Sequence, residues 1–326
     1  MNEYDEIELC PIAGKQEQLA RTNLPRELFR KKPWVFTVKL LVAAAIICAC
    51  ITVFLLTRQL AWRVIAVGIL GVMYAHLVEL QHELLHGHAY NSRRLNEIFG
   101  ILVGLPMLSS YHAYQASHLR HHRDLGSPNN REFFSYRHRH INGLLPFLRS
   151  AFSLHRYGDI ASDMWAVCRG GFSQHAATAR QQAAIRRDYI LMSGLLVGAV
   201  VVSLSLRTDI LVYLWFLPAV CVAEAVHFLI ETPEHYGLNT QSNPDPLSNT
   251  RTIYNASLLL RWLTNVNDLH TAHHYHHGVP ICNMKALNAL ILERVAPSCL
   301  ERNYVEFYAR VLAGAHVFRE RESCMT

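Results

Sequence analysis

Residues 64–88, VIAVGILGVMYAHLVELQHELLHGH, join an apolar run directly to a cluster of histidines. Residues 64–80 are almost entirely apolar. A helix needs about 20 such residues to cross the hydrocarbon of a bilayer, so the run reads as a membrane span ending near a polar boundary. Just beyond it, His82 and His86 stand four residues apart, and side chains at i and i+4 share one helix face. A lipid-soluble segment therefore ends by presenting two imidazoles side by side.

Three further segments have the same character. Residues 35–57 (VFTVKLLVAAAIICACITVFLLT) carry Lys39 near their start, where its long stem can reach back to the headgroups. The loop from there to residue 64 is too short for anything but a tight antiparallel turn. Residues 189–206 and 210–230 repeat the arrangement around the turn RTD. The expected fold is thus an all-α integral membrane protein with four transmembrane helices in two hairpins. Each hairpin is followed by a long polar, histidine-rich segment, and together these form a helical cap within a single domain spanning residues 1–326. Residues 98–109, with Pro106, and 143–152 are too short to cross and are expected to be re-entrant or interfacial.

Composition supports a membrane class: 51% of the 326 residues are hydrophobic and only 17% charged. The net charge of +6 comes from basic residues beside the apolar spans and not from one run. That distribution suits an anionic membrane surface and argues against nucleic acid. The expected outer loops hold only Arg58, Arg63 and Arg207, so the positive-inside rule places both termini and both histidine-rich segments in the cytoplasm. The polar first 34 residues are wrong for a cleaved signal peptide and are expected to stay attached on that side. The eight cysteines are scattered, without a C-x-x-C pair, and read as reduced packing residues.

The histidines recur in sets. His118, His121 and His122 follow an i, i+3, i+4 spacing, which His270, His273 and His274 repeat in NDLHTAHHYHHGVP. His227, Glu231 and His235 close the fourth span. One such set is more often a solvated or core feature than a metal site, but three on the same expected membrane face are not. The imidazoles exceed the four ligands of a closed zinc site, so their number argues for two metal ions. Neutral nitrogen ligands with room for an exogenous group suit dioxygen chemistry at iron better than structural zinc. Glu83, Asp124, Glu231, Glu234 and Asp268 are candidate acceptors for the outer ring nitrogens. Asn265 and Asn267 are candidate contacts to ligand or water, and Arg120, Arg123, Arg137 and Arg139 are candidates for steering an acidic partner. His76, His88, His112, His227, His276 and His277 read as neighbours and not ligands, with His76 a candidate for supporting the inner rings. His138, His140, His155, His175 and His316 read as surface or interfacial. A histidine-rich metal transporter, the alternative of another class, would place its ligands along a path inside the spans.

The order H-x-x-x-H, H-x-x-H-H, H-x-x-H-H, with the first box leaving span two and the last following span four, resembles the membrane fatty acid desaturase family and its di-iron relatives. The resemblance implies that His82, His86, His118, His121, His122, His270, His273 and His274 are iron ligands, with His235 in ETPEHYG the additional one and no catalytic residue beyond the ligands. It implies two iron ions and dioxygen as co-substrate. It also implies removal of hydrogen from an unactivated methylene of a fatty acyl or lipid chain. Loss of a second hydrogen leaves a double bond; the same scaffold can instead hydroxylate, or decarboxylate to a terminal alkene. His270 stands where front-end desaturases have Gln, and the first box has three intervening residues where the stearoyl-CoA type has four. No H-P-G-G haem-binding stretch is present, so electrons are expected from a separate ferredoxin, rubredoxin or cytochrome b5 type carrier with its reductase.

Overall fold

A computed structural model describes residues 23–134, 141, 143–152, 154–294 and 299–314 of the chain. Arg137, Arg139, His138, His140, His316, Cys10, Cys324 and the first 22 residues lie outside that range. The chain is mostly helical, and four helices are long and apolar enough to cross a membrane.

The first, α1, spans Pro33–Leu56 and starts on a proline whose missing N–H would have been unpaired at a helix start. Three residues separate it from α2, Leu60–Leu85. A shorter helix, α3 (Arg93–Gly104), ends in a 3-10 turn at Leu105–Met107, so residues 98–109 form the tail of a helix and a sharp bend. Next come α4 (Tyr111–Asp124), α5 (Leu144–Ala151) and α6 (His155–Cys168). The third long helix, α7, is Ala179–Ser205, opened by a capping box between Thr178 and Gln181. The fourth, α8, is Val212–His235. Its first half, Val212–Ala223, is wound as a π-type helix around Pro218, which removes a backbone donor, and its second half, Glu224–His235, is regular.

Beyond α8 the elements are short: α9 (Pro246–Asn249), β1 (Thr252–Ile253), α10 (Leu258–Leu263), α11 (His270–Tyr275), α12 (Met284–Arg294), β2 (Leu300–Glu301) and α13 (Tyr304–Leu312). The two strands pair in parallel, and Thr252 also bridges to Leu269, which holds the chain entering α11 against β1.

The helices around α2 carry most of the core. Leu70, Tyr74, Ala75, Val78, Leu80, Leu84 and Leu85 pack against Phe36, Ala43, Cys50 and Phe54 of α1 and against Ala219 and Ala223 of α8. At Gly71 the helices α2 and α8 are so close that a Cβ would lie 2.3 Å from that of Val222 and 2.7 Å from the Pro218 carbonyl. Small residues allow this approach where lipid supplies no hydrophobic drive for association. Helix α7 packs instead on α4 and α6, through Ile185, Tyr189, Met192, Ala113 and Val167. The sequence pairs residues 189–206 with 210–230; in the structure the buried neighbour of α8 is α2.

Two more expectations are refined. Helices α2 and α8 run past the apolar segments, to Leu85 and His235, because protein packing covers their polar ends and the backbone ladder continues. Lys39 does not reach for the headgroups: its Nζ turns inward, donating to Asn265 Oδ1 at 2.5 Å with Glu83 Oε2 3.6 Å away. Among the described residues no disulfide joins any two of Cys48, Cys50, Cys168, Cys221, Cys282 and Cys299.

Candidate metal centre

Four elements deliver the nine histidines. His82 lies in the last turn of α2 and His86 caps its end. His118, His121 and His122 ride on α4, which Ser110 starts: its hydroxyl accepts from the Ala113 N–H and donates to Asp188 of α7 at 2.7 Å. His235 ends α8, while His270, His273 and His274 occupy α11. The turn into α11 contains two residues in the left-handed region, Asn265 (φ 47°) and Val266 (φ 72°). A β-branched residue is strained there. Asn265 holds the turn by donating to Glu83 Oε2 at 2.9 Å and to the Glu79 carbonyl at 3.1 Å.

The nine rings divide into two groups, and the division does not follow the sequence boxes. His82, His86, His118, His122 and His273 form one group; His121, His235, His270 and His274 form the other. Within each, the candidate ligand atoms lie within 4.8 Å of one another. Each i, i+4 pair stays together (His82 with His86, His118 with His122, His270 with His274), while His121 and His273 cross to the opposite group. A helix turns 400° over four residues and 300° over three, so the third imidazole of each triplet points away from the pair. The i, i+3, i+4 spacing taken alone suggests one shared face for each triplet, and the structure corrects this by dividing each triplet between the two groups.

The nitrogens converge at spacings that would let each group hold a metal ion. His118 Nε2 lies 2.8 Å from His82 Nε2 and 2.9 Å from His122 Nε2. His235 Nε2 lies 3.2 Å from His121 Nε2 and 3.0 Å from His270 Nε2. A ring nitrogen has either one proton or one lone pair, so it cannot satisfy two such neighbours by hydrogen bonding. Ligands at right angles around a metal about 2.1 Å away are about 3 Å apart. His86 Nε2, His274 Nε2 and both nitrogens of His273 are also buried without a hydrogen-bond partner, a state that costs stability unless something binds them.

Outer hydrogen bonds set the tautomers of the second group. His121 Nδ1 donates to Asn130 Oδ1 at 2.7 Å, His235 Nδ1 to the Asn249 carbonyl at 2.9 Å, and His270 Nδ1 to Asn267 Oδ1 at 3.0 Å. Each bond leaves an Nε2 lone pair facing inward. Burial, and then the neighbouring rings, holds His86, His118, His122, His270, His273 and His274 well below the ordinary imidazole value, so these rings are neutral and able to coordinate.

The expected carboxylate acceptors are mostly engaged elsewhere. Glu83 binds Asn265, Asp124 binds Arg123, and Asp268 binds Arg261. Glu231 faces His227, and Glu234 alone approaches an inner ring, its Oε2 being 3.3 Å from His270 Nε2. Asn267 ties these together, donating to Glu234 while accepting from His270. Asn130 and Asn249 carried no sequence signal, since contacts across more than a hundred residues (Asn130 to the Thr240 carbonyl) place the first of them.

The remaining rings also find their places. His277 stacks on His122 with centroids 4.8 Å apart, His88 on His86 at 5.2 Å, and His276 meets the edge of Phe29 at 5.1 Å. His76 is bonded to the Leu263 carbonyl and packs on Trp262, and His112 is bonded to Asp188. Arg120 donates to the His175 carbonyl. A small pocket touches both histidine groups; His82, His118, His121, His270, Glu132 and Tyr114 are among its walls.

Comparison with known proteins points to one family. The model of the family described as fatty acid desaturase matches residues 60–306. An omega-3 fatty acid desaturase, chloroplastic, of Brassica napus is 30% identical over 113 residues, 34% of this chain. The match spans 28% of that relative's length.

Proposed function

The chain belongs to the fatty acid desaturase family, and from that premise we propose that it is an oxygen-dependent membrane oxidase that introduces a double bond into a fatty acyl or lipid chain. The observation that carries this reading is the pair of convergent imidazole groups, five nitrogens and four, at the ends of membrane-length helices. In this reading each group holds one iron, with His82, His86, His118, His122 and His273 on the first and His121, His235, His270 and His274 on the second. Neutral imidazoles without thiolate suit iron.

Bound iron supplies dioxygen activation and the one-electron steps that remove hydrogen from an unactivated methylene. The chain's own residues do the rest. Asn130, Asn267 and the Asn249 carbonyl hold three rings in the coordinating tautomer. The short α11, pinned through Leu269 to β1, fixes its three histidines between the two groups. The pocket touching both groups, with Tyr114, Phe133 and Phe134 among its walls, is the place this reading gives to the reacting carbons.

The four long helices form two membrane hairpins, with the histidine-bearing ends, both termini and a helical cap on the cytoplasmic side, all in one domain. A soluble electron carrier then meets the metal side while the acyl chain arrives from the bilayer.

The test is expression in a host lacking such an enzyme, with gas chromatography and mass spectrometry of fatty acids and volatile hydrocarbons. A new internal double bond, formed only with oxygen, is the expected product. Hydroxy acids or odd-carbon terminal alkenes would move the assignment to the hydroxylating or decarboxylating alternative. Metal-loaded protein that yields no oxygen-dependent product would overturn both and favour metal binding or transport.

A further inference from the structure

One turn before His82 on α2, and one to two turns before His235 on α8, lies a group of ionisable side chains outside the two histidine groups. It consists of Glu79, His227 and Glu231. His227 Nε2 lies 3.5 Å from Glu79 Oε1 and 3.5 Å from Glu231 Oε1, and the three candidate ligand atoms all lie within 4.8 Å of one another. His227 is 0% exposed and Glu79 2%.

Among the described residues the charges here do not balance. Among the described residues the nearby cations are engaged elsewhere, Lys39 with Glu83 and Arg156 with Glu224. The ion pairs of Glu79 and Glu231 are with the same imidazole nitrogen. That nitrogen has at most one proton, so it can serve one carboxylate and not both. Glu79 Oε1 is buried, points at His227 and accepts no hydrogen bond. A buried carboxylate and a mostly buried one with one imidazole between them are costly unless a cation joins them.

The distances fit such a cation. An edge of 3.5 Å belongs to a tetrahedron whose centre is about 2.1 Å from its corners, the bond length of carboxylate oxygens and imidazole nitrogens to first-row divalent metals. We propose that Glu79, His227 and Glu231 form a third metal site, distinct from the two histidine groups, which takes one divalent ion of the Mn2+, Fe2+ or Zn2+ class. Two oxygens and one nitrogen are a harder donor set than the all-imidazole groups, so this site favours Mn2+ where those favour iron. Glu231 also lines the pocket that touches both histidine groups, which puts the ion beside that pocket's wall. The site rests on its own geometry and holds whatever reaction the histidine groups carry out.

The test is a metal count. The full chain, purified in detergent and loaded with iron, is dialysed against Mn2+ and its total bound metal is measured by inductively coupled plasma mass spectrometry. The wild type is expected to hold three equivalents. Glu79→Gln and Glu231→Gln, which keep shape and remove charge, are expected to hold two, with Mn2+ affinity lowered at least about 100-fold and histidine-bound iron retained. Retained iron also shows that the variants are folded, and the wild-type count stands even if a variant does not fold. His273→Ala is expected to lose metal from its histidine group and keep the Mn2+ equivalent. Two equivalents in the wild type, meaning that protons balance the charge, would overturn the third site and leave the proposed oxidase untouched. Equal Mn2+ binding by wild type and both glutamine variants would overturn it as well. A single Mn2+ lost in the glutamine variants, with no iron in either histidine group, would instead sink the oxidase reading while supporting this one.

Discussion

Helices α1 and α2 are neighbours of nearly equal length, yet they are built on opposite terms. In α1 the most apolar stretch is 17% buried inside the protein; in α2 the corresponding stretch is 67% buried. The less apolar helix is the more buried one. A soluble protein shows the reverse, because there the interior is the refuge from water. In a bilayer, lipid already solvates Leu41, Leu55 and Leu56 of α1, which point outward. What must be enclosed is whatever lipid cannot solvate: Glu79, Gln81, His82 and Glu83 of α2, each 3% exposed or less. Gln81 illustrates the enclosure, since its amide donates to the Gly100 and Ser109 carbonyls at 2.9 and 3.0 Å.

The contrast can be broken most severely at the proposed metal ligands. His82→Ala, on the enclosed face of α2, should abolish product and remove the metal of the first group, measured as metal per chain and as product in the expression assay. His155→Ala, an exposed ring on α6, should do neither. Next in size is Asn267→Ala, which leaves the inner nitrogens in place but frees the His270 tautomer and the Glu234 carboxylate. A loss of about 10–100-fold in metal affinity is expected, read by competition with a chelator.

A second pair of substitutions compares two sides of α2 itself. Gly71→Ala forces a Cβ into Val222 and should destabilise the protein by about 1–3 kcal/mol, seen as earlier thermal unfolding in detergent. Gly68→Ala meets nothing within 4 Å and should be neutral or stabilise by up to about 1 kcal/mol. If both behaved alike, the asymmetry drawn here between the enclosed and open sides of α2 would be wrong. The smallest effect is expected from Leu41→Ala on α1, 63% exposed, which should change stability by no more than about 0.5 kcal/mol.

Much of the centre was legible in the chain because its signals are local. His82 with His86, and His270 with His274, announce shared helix faces by spacing alone, and each pair does stay together. The existence of four membrane-length segments followed from composition, since hydrocarbon imposes a minimum length on any helix that crosses it. Helices α2 and α8 continue beyond the apolar spans because a helix ends where its backbone hydrogen bonds end and not where polarity begins.

What escaped the sequence is whatever depends on neighbours from distant parts of the chain. Lys39 reads as a headgroup anchor until Asn265, 226 residues away, is seen to accept its ammonium. His277 looks superfluous until it stacks on His122. Spacing cannot show that His121 and His273 change groups, because the destination of a ring pointing off one helix is set by which helix lies opposite. The sequence by itself determined a membrane-embedded helical protein of the fatty acid desaturase family and its histidine pairs, since periodicity and apolar length act within one helix. Only the tertiary structure decided which rings share a centre, which amides orient them and that two acids of the spans face one imidazole. Those relations are fixed by packing between helices, to which the order of residues along any one helix is blind.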